Sequence, residues 1–302
     1  MKKTHSKLLF DYKIEAKSGA KLTVKELISQ ANSVAVALIK RGITKSDKIC
    51  IFSLIDINYT VISFATYFLG LTFVPFSRSL AVYELKNDIK NLESVVIFTS
   101  VENAKYFEEI IENLKIKSIF VIDGIYGNYI PFVKLLEEGK NQILDRIPHF
   151  NVDPKKDIFQ LLRSSGTTGL PKIVVLSHYN FVAALKEYLN TKQLNDLRVS
   201  LIYSSGHIIS SLYLPFWISY GATVVLLIKF DEELYFQSVE KYKINLLPTF
   251  TAFGRKLVEG ELAQKYDLSS VKMIITAAAP FDAKVSKAIV EKYNVIFGEC
   301  MY

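Results

Sequence analysis

The sequence has few of the residues that build disulfide frameworks or metal sites. It contains two cysteines, Cys50 and Cys300, and no CxxC pair among its 302 residues. Widely separated cysteines disfavour both a disulfide scaffold and a structural zinc site. The four histidines are scattered, so no histidine metal site is predicted. Hydrophobic residues make up 50% of the chain and charged residues 22%, a composition that excludes a disordered protein.

The sequence also lacks clustered charge of one sign. The net charge is +7, yet residues 1–50 carry 11 Lys/Arg and 4 Asp/Glu, whereas the other 252 residues carry 26 of each. A nucleic-acid-binding face usually has clustered Lys/Arg with aromatic residues between them. No run of five like charges occurs, so no nucleic-acid partner is predicted. The basic N-terminus is interpreted as a solvated face, with weak association with a membrane surface as the alternative.

Two long stretches without charge raise the question of a membrane span. Residues 57–77 and 199–228 contain no Asp, Glu, Lys or Arg, and each is long enough to cross a bilayer. Each is interrupted by polar residues and proline, and each divides at a glycine, Gly70 or Gly221, into a helical segment and a β-rich run. A helix covered on both sides is apolar all round. We therefore predict buried helix–strand units and no transmembrane segment, with a membrane-embedded protein as the alternative.

Helical patterns and short β-branched runs alternate along the chain. Helices are predicted at residues 24–41, 102–114, 232–242 and 282–293. Strands are predicted at residues 48–54, 72–75, 95–100, 118–123, 158–163, 173–177, 200–203, 223–228, 245–249 and 273–277. This alternation predicts an α/β fold with right-handed crossovers and mainly parallel sheets. Strands 158–163 and 173–177 are the exception, because a Gly/Ser/Thr loop joins them instead of a helix.

That loop has the composition of a phosphate-binding loop. Residues 164–172 read SSGTTGLPK. Glycines let the backbone approach a ligand, N–H groups and hydroxyls can surround an anion, and Lys172 adds positive charge. The Walker pattern GxxxxGK[ST] does not fit, because Pro171 stands at its second glycine and Ile173 at its Ser/Thr. The residues predicted to bind phosphate are Ser164, Ser165, Gly166, Thr167, Thr168, Gly169 and Lys172.

Together with LSHYN at residues 176–180, this loop resembles the phosphate-loop signature of the adenylate-forming (AMP-binding) superfamily. That family includes acyl-CoA synthetases, 4-coumarate–CoA ligases and luciferases, and the chain resembles this branch most. Other segments that carry the resemblance are residues 22–27 (LTVKEL), 39–49 (IKRGITKSDKI), 221–225 (GATVV), 248–249 (PT) and 277–280 (AAAP). The sequence departs from the pattern at four places: Arg163 replaces an aromatic residue, Ile173 replaces a glycine, SSG precedes His207 where Pro-x-Phe is usual, and Ala277 and Ala278 replace glycines.

The resemblance implies two α/β lobes, each with a mainly parallel sheet between helices, and no barrel lobe or C-terminal domain. Residues 1–302 correspond to a truncated AMP-binding domain. Lobe one is placed at about residues 45–190 and lobe two at about 191–302, with residues 11–44 packing on lobe two. His178 is expected to pack under the phosphate loop. The residues implied for the adenine and acyl pocket are His207, Ala277, Ala278, Ala279, Pro280 and Tyr302.

The activity implied is ATP-dependent conversion of a carboxylic acid to an acyl-adenylate, then transfer to coenzyme A, with Mg²⁺ as a further cofactor. The family's catalytic lysine and metal-supporting Thr-Glu pair align beyond residue 302. The chain alone is therefore expected to be weakly active or inactive, and no catalytic or metal residue is assigned within it. A cytoplasmic or peroxisomal location follows from the family alone. The alternatives are a non-catalytic nucleotide-binding remnant or interaction protein and a luciferase-like oxygenase.

Overall fold

The computed structural model describes residues 12–112, 114–140, 148–164, 172–189, 196–201, 206–277 and 279–300. The strands are β1 (Tyr12–Glu15), β2 (Lys21–Thr23), β3 (Lys48–Phe52), β4 (Thr72–Pro75), β5 (Val95–Thr99), β6 (Ile116–Val121), β7 (Ile130–Pro131), β8 (Ile158–Arg163), β9 (Ile173–Ser177), β10 (Arg198–Leu201), β11 (Thr223–Leu226), β12 (Leu246–Thr249), β13 (Met273–Ala277) and β14 (Ile296–Cys300). The α-helices are α1 (Val24–Lys40), α2 (Ile57–Leu69), α3 (Val82–Lys90), α4 (Val101–Ile110), α5 (Phe132–Lys140), α6 (His178–Leu189), α7 (Ile208–Ser219), α8 (Glu232–Tyr242), α9 (Gly254–Glu259), α10 (Glu261–Lys265) and α11 (Ala283–Tyr293).

These elements form two compact bodies, each built on one seven-stranded sheet. The described part of the first body is residues 24–189 and 206–215, and its strand order is β7-β6-β5-β3-β4-β8-β9. The described part of the second body is residues 12–23, 196–201 and 216–300, with the order β14-β13-β12-β10-β11-β1-β2. Each sheet is parallel except for one antiparallel pair at an edge, β8–β9 or β1–β2. The predicted α/β fold with mainly parallel sheets is confirmed.

Both uncharged stretches form a buried helix followed by a strand. Helix α2 ends at Gly70, whose φ of 72° is left-handed, and β4 begins two residues later. Gly221, also at φ 72°, separates α7 from β11 in the same way. Glycine adopts this conformation without the steric cost that other residues meet. Within the part of the chain that the structure describes, no helix is both long and apolar enough to span a bilayer.

The structure corrects the predicted placement of residues 24–40. Strands β1 and β2 extend the second body's sheet, but α1 packs against α2 and α5 of the first body. Helix α1 has a broad buried face that includes Leu27, Val34 and Leu38, and α5 covers part of it at close range. A Cβ atom at Gly139 of α5 would collide with the backbone carbonyl of Ser33 on α1. Residues 206–215 were also assigned to lobe two, yet they group with the first body.

Candidate nucleotide-binding site

The two ends of the predicted phosphate loop are held together by the β8–β9 hairpin. Arg163 and Ile173 are paired at the end of the ladder. The Ser164 N–H donates to the Lys172 carbonyl at 2.8 Å, and the Lys172 N–H donates to the Ser164 hydroxyl at 3.2 Å. Lys172 itself is exposed. The loop therefore starts and ends at one point. Five of the predicted phosphate-binding residues lie outside the described residues: Ser165, Gly166, Thr167, Thr168 and Gly169.

This point lies at the carboxyl edge of the first body's sheet. Strands β4 and β8 are parallel neighbours with Phe73 opposite Gln160. The same register brings Phe76, just after β4, level with Arg163 at the end of β8. In open parallel sheets, ligands bind outside the carboxyl ends of the strands. The loop is therefore placed where the topology of the sheet favours a ligand.

His207 lies at the same edge of the sheet, because Gly206, the residue before it, packs against the chain that follows β4. Gly206 has a φ of 83°, and a Cβ atom there would lie 2.5 Å from the Ser77 nitrogen and 2.8 Å from the Phe76 carbonyl carbon. Gly206 is thus pressed against the chain that leaves β4. His207 is exposed, and partial desolvation lowers the pKa of its imidazole. His207 and the base of the loop at Ser164 and Lys172 thus both belong to the carboxyl edge of the first body's sheet.

Three of the residues predicted for the adenine and acyl pocket, Ala277, Ala279 and Pro280, lie in the second body. Ala277 ends β13, and Ala279 and Pro280 follow it as exposed residues. The Thr251 hydroxyl donates to the Ala279 carbonyl at 3.5 Å, a long contact that restrains this turn weakly. Ala278 and Tyr302 lie outside the described residues, so their role stays a prediction.

Two threonines beside this turn were not assigned from the sequence. Thr249 and Thr276 are opposite each other at the carboxyl ends of β12 and β13. They are 7% and 2% exposed, and neither hydroxyl has a hydrogen-bond partner among the described residues. Buried hydroxyls are nearly always paired, so these two groups suit the polar atoms of a ligand. Thr249 stood in the quoted segment PT, whereas nothing local in the sequence marked Thr276.

His178 lies at the opposite end of the β8–β9 hairpin from Ser164 and Lys172. Its backbone N–H donates to the Asp157 carbonyl at 3.4 Å, and its ring packs edge-on against Phe159 at 5.3 Å. Residues 165–171 lie outside the described residues, so the packing of His178 under the loop stays a prediction. Burial lowers the pKa of His178, with Asp157 acting in the opposite direction.

The structure identifies no candidate metal site among the described residues. No group of three or more His, Cys, Asp or Glu side chains placed to hold a metal ion occurs among them. Mg²⁺ as a cofactor stays a prediction from the family resemblance.

Comparison with known proteins identifies what this architecture is similar to. A family model described as "AMP-binding enzyme" matches residues 2–301. The chain is 26% identical over 292 residues to peroxisomal OPC-8:0-CoA ligase 1 of Arabidopsis thaliana, covering 94% of this chain and 52% of that relative. The chain spans about half the length of the curated relatives it matches.

Solved structures show the same fold. A natural red-emitting luciferase from Phrixothrix hirtus superposes with a TM-score of 0.86 at 20% identity, over 96% of this chain and 72% of that one. The N-terminal domain of FACL13 from Mycobacterium tuberculosis superposes with a TM-score of 0.80 at 20% identity, over 95% of this chain and 71% of that one. At this identity the likeness concerns the arrangement of helices and strands.

Proposed function

Because the chain belongs to the family of AMP-binding enzymes, we propose that it binds ATP and activates a carboxylic acid as its acyl-adenylate, which coenzyme A then accepts as a thioester. The observation that carries this proposal is the closed base of the 164–172 loop at the carboxyl edge of a parallel sheet. A loop of hydroxyls, glycines and one lysine in that position suits a chain of phosphates.

In the first half-reaction a carboxylate oxygen attacks the α-phosphorus of ATP, and the bond to the β-phosphate oxygen breaks to release pyrophosphate. Enzymes that transfer phosphoryl or nucleotidyl groups act mainly by positioning and by charge stabilisation. We assign the loop's N–H groups, its hydroxyls and Lys172 to the phosphates. The assignment of Ala277, Ala279 and Pro280 to the base rests on the family resemblance alone.

In the second half-reaction the thiolate of coenzyme A attacks the acyl carbon, the thioester forms and AMP leaves with its phosphate oxygen. Desolvation lowers the pKa of His207, which favours the neutral imidazole on the acyl side of the site. A luciferase-like enzyme would share the first step and consume O₂ in place of the thiol. A cytoplasmic or peroxisomal location stays a prediction.

The experiment is acid-dependent exchange of pyrophosphate into ATP, measured with the protein as its gene encodes it and with a panel of fatty and aromatic acids. We expect exchange that requires an acid, and AMP release that increases when coenzyme A is added. Exchange without any response to coenzyme A, together with O₂ uptake, would favour the oxygenase. ATP binding without exchange would favour the non-catalytic remnant, and absence of both would contradict the proposal.

A further inference from the structure

Arg163, the last residue of β8, connects the start of the phosphate loop to helix α3. Its Nη1 and Nη2 both lie 3.2 Å from Glu84 Oε1, and its Nε lies 3.3 Å from Asp88 Oδ2. Glu84 and Asp88 are four residues apart on α3 and so lie on one face of that helix. The next residue after Arg163 is Ser164, whose N–H and hydroxyl close the base of the loop. One guanidinium thus joins two carboxylates directly beside the loop.

Glu84 and Asp88, the two carboxylates of this contact, lie on a helix that is anchored in the core. Leu85 and Ile89 of α3 are buried in the first body's core. Glu84 is held a second time, because its Oε2 accepts the Ala81 N–H at 3.0 Å in a capping arrangement. Helix α3 is therefore a rigid support. An arginine is suited to the contact because its planar fork can meet two carboxylates at once, whereas a lysine presents a single point charge.

The contact is also partly shielded from water. The side chains of Arg163, Glu84 and Asp88 are 20%, 27% and 14% exposed. Burial raises the pKa of Asp88, Arg163 lowers it and Glu84 raises it, and the balance lies above the usual value. Of these three influences on the pKa of Asp88, Arg163 is the one that favours the ionised form. Ion pairs shielded in this way are costly to break from one side, because an unpaired charge remains.

We propose that Arg163 is a positioning residue: its ion pairs with Glu84 and Asp88 fix the start of the phosphate loop on α3 and so set the affinity for the phosphates of the nucleotide. The effect on phosphate affinity rests on the proposed function, whereas the anchoring of the start of the loop can be measured without a nucleotide.

The first test is amide hydrogen exchange on the free chain with Arg163→Met and Arg163→Lys. In Arg163→Met we expect the amides of Ser164 and Lys172 to exchange at least about tenfold faster than in wild type, because their hydrogen bonds open more often. In Arg163→Lys we expect an intermediate rate. Exchange in the buried part of α1 should not change. Unchanged exchange at Ser164 and Lys172 would overturn the proposal.

The second test is binding of ATP, inorganic pyrophosphate and adenosine by calorimetry. Arg163→Met should weaken ATP and pyrophosphate binding about tenfold, a typical cost of losing a group that orients a binding residue, and leave adenosine binding unchanged. The matched control is Arg41→Met, which removes contacts to Glu138 of 2.6 and 2.9 Å elsewhere in the first body. It should lower the melting temperature without affecting the phosphate ligands.

Equal losses for ATP and adenosine, or equal effects of Arg41→Met and Arg163→Met, would overturn the positioning role. Asp88→Asn leaves Glu84 as a partner of Arg163, so its affinity for ATP and pyrophosphate should lie between those of wild type and Arg163→Met. It replaces Arg163→Met in the test if that variant folds poorly. A wild-type chain that binds neither ATP nor pyrophosphate would contradict the proposed function. In that case, the exchange rates of Ser164 and Lys172 still decide whether Arg163 fixes the loop.

Discussion

Each sheet carries one antiparallel hairpin at an edge, and the two hairpins are closed by different chemistry. In the β1–β2 hairpin the turn bonds to itself. The Glu15 N–H donates to the Ala20 carbonyl at 2.9 Å, and the Gly19 N–H donates to the Glu15 carbonyl at 2.8 Å. The Ser18 hydroxyl donates to the Glu15 carboxylate at 2.7 Å and accepts the Ala20 N–H at 3.1 Å.

In the β8–β9 hairpin the bonds among the described residues lie at the base, between Ser164 and Lys172. The sequence between these two residues has three more hydroxyl side chains and two glycines. A hairpin that only reverses the chain needs a short turn whose polar groups satisfy one another. A longer loop rich in hydroxyls supplies groups that a ligand can use. This difference in composition supports the proposal that the 164–172 loop binds a ligand, whereas the β1–β2 turn serves stability.

Hydrogen bonds that serve stability alone should, when removed, lower the free energy of unfolding and leave ATP binding unchanged. The buried hydrogen-bond network around Asp47 tests this. Asp47 is buried and accepts from the Thr44 N–H at 2.7 Å, the Ser94 hydroxyl at 2.5 Å and Lys117 Nζ at 2.7 Å. Asp47→Ala should lower the free energy of unfolding by about 3 kcal/mol in urea titrations. The control Glu93→Ala removes an exposed carboxylate 3.9 Å from Lys48 and should cost less than about 0.5 kcal/mol.

The same network predicts a pH dependence. Burial raises the pKa of Asp47, but Lys117, Ser94 and Thr44 outweigh it, so the pKa lies below its usual value. A carboxyl group with a lowered pKa stabilises the fold above its unfolded pKa of about 3.9, and this contribution is lost as the pH falls. The difference in unfolding free energy between wild type and Asp47→Asn should therefore shrink below about pH 4. A constant difference from pH 7 to pH 3 would contradict this assignment.

Deleting one hydroxyl from each hairpin compares them directly. Thr167→Ala should weaken ATP binding about ten- to a hundredfold, because a hydrogen bond to a charged group contributes roughly 1.5–3 kcal/mol. Ser18→Ala removes a hydroxyl that is already bonded within its turn, so ATP affinity should not change. Calorimetry on the two folded variants measures both effects. Equal ATP affinities of Thr167→Ala and Ser18→Ala would contradict the claim that the two hairpins differ in function.

Two glycines give the smallest expected effects. Gly19 has a φ of 72° with open space around it, so Gly19→Ala should cost about 1 kcal/mol through backbone strain alone. Gly206→Ala should cost about 2 kcal/mol, because strain is joined by a clash with the backbone at Phe76 and Ser77. The melting temperatures of the two variants measure this order. A lower melting temperature for Gly19→Ala than for Gly206→Ala would contradict the close approach of Gly206 to the backbone that follows β4.

Local signals predicted some elements to the residue. Strands β8, β9 and β13 and helix α8 have the predicted bounds, because β-branched runs or amphipathic periods end there at loop residues. Strand β1 was missed, because its sequence YKIE has no clear pattern and its partner Val224 is more than 200 residues away. Pairing of that kind is decided by the assembled sheet and not by the local sequence.

The candidate site shows the same limit. The hydroxyl and glycine composition of residues 164–172 marked the loop, and the hairpin that closes it is present. The Arg163–Glu84 contact could not be predicted, because the residues are 79 positions apart and meet only when β8 packs beside α3. The Thr249–Thr276 pair depends in the same way on the order of β12 and β13.

The most direct test of the central claim is calorimetric titration of ATP into residues 1–302, side by side with Thr167→Ala and Lys172→Met. The account predicts binding of one ATP per chain by wild type and an affinity at least about tenfold lower in each variant, with unchanged melting temperatures. Equal ATP affinity in all three folded proteins, or no binding by wild type, would contradict the claim that the 164–172 loop holds the phosphates.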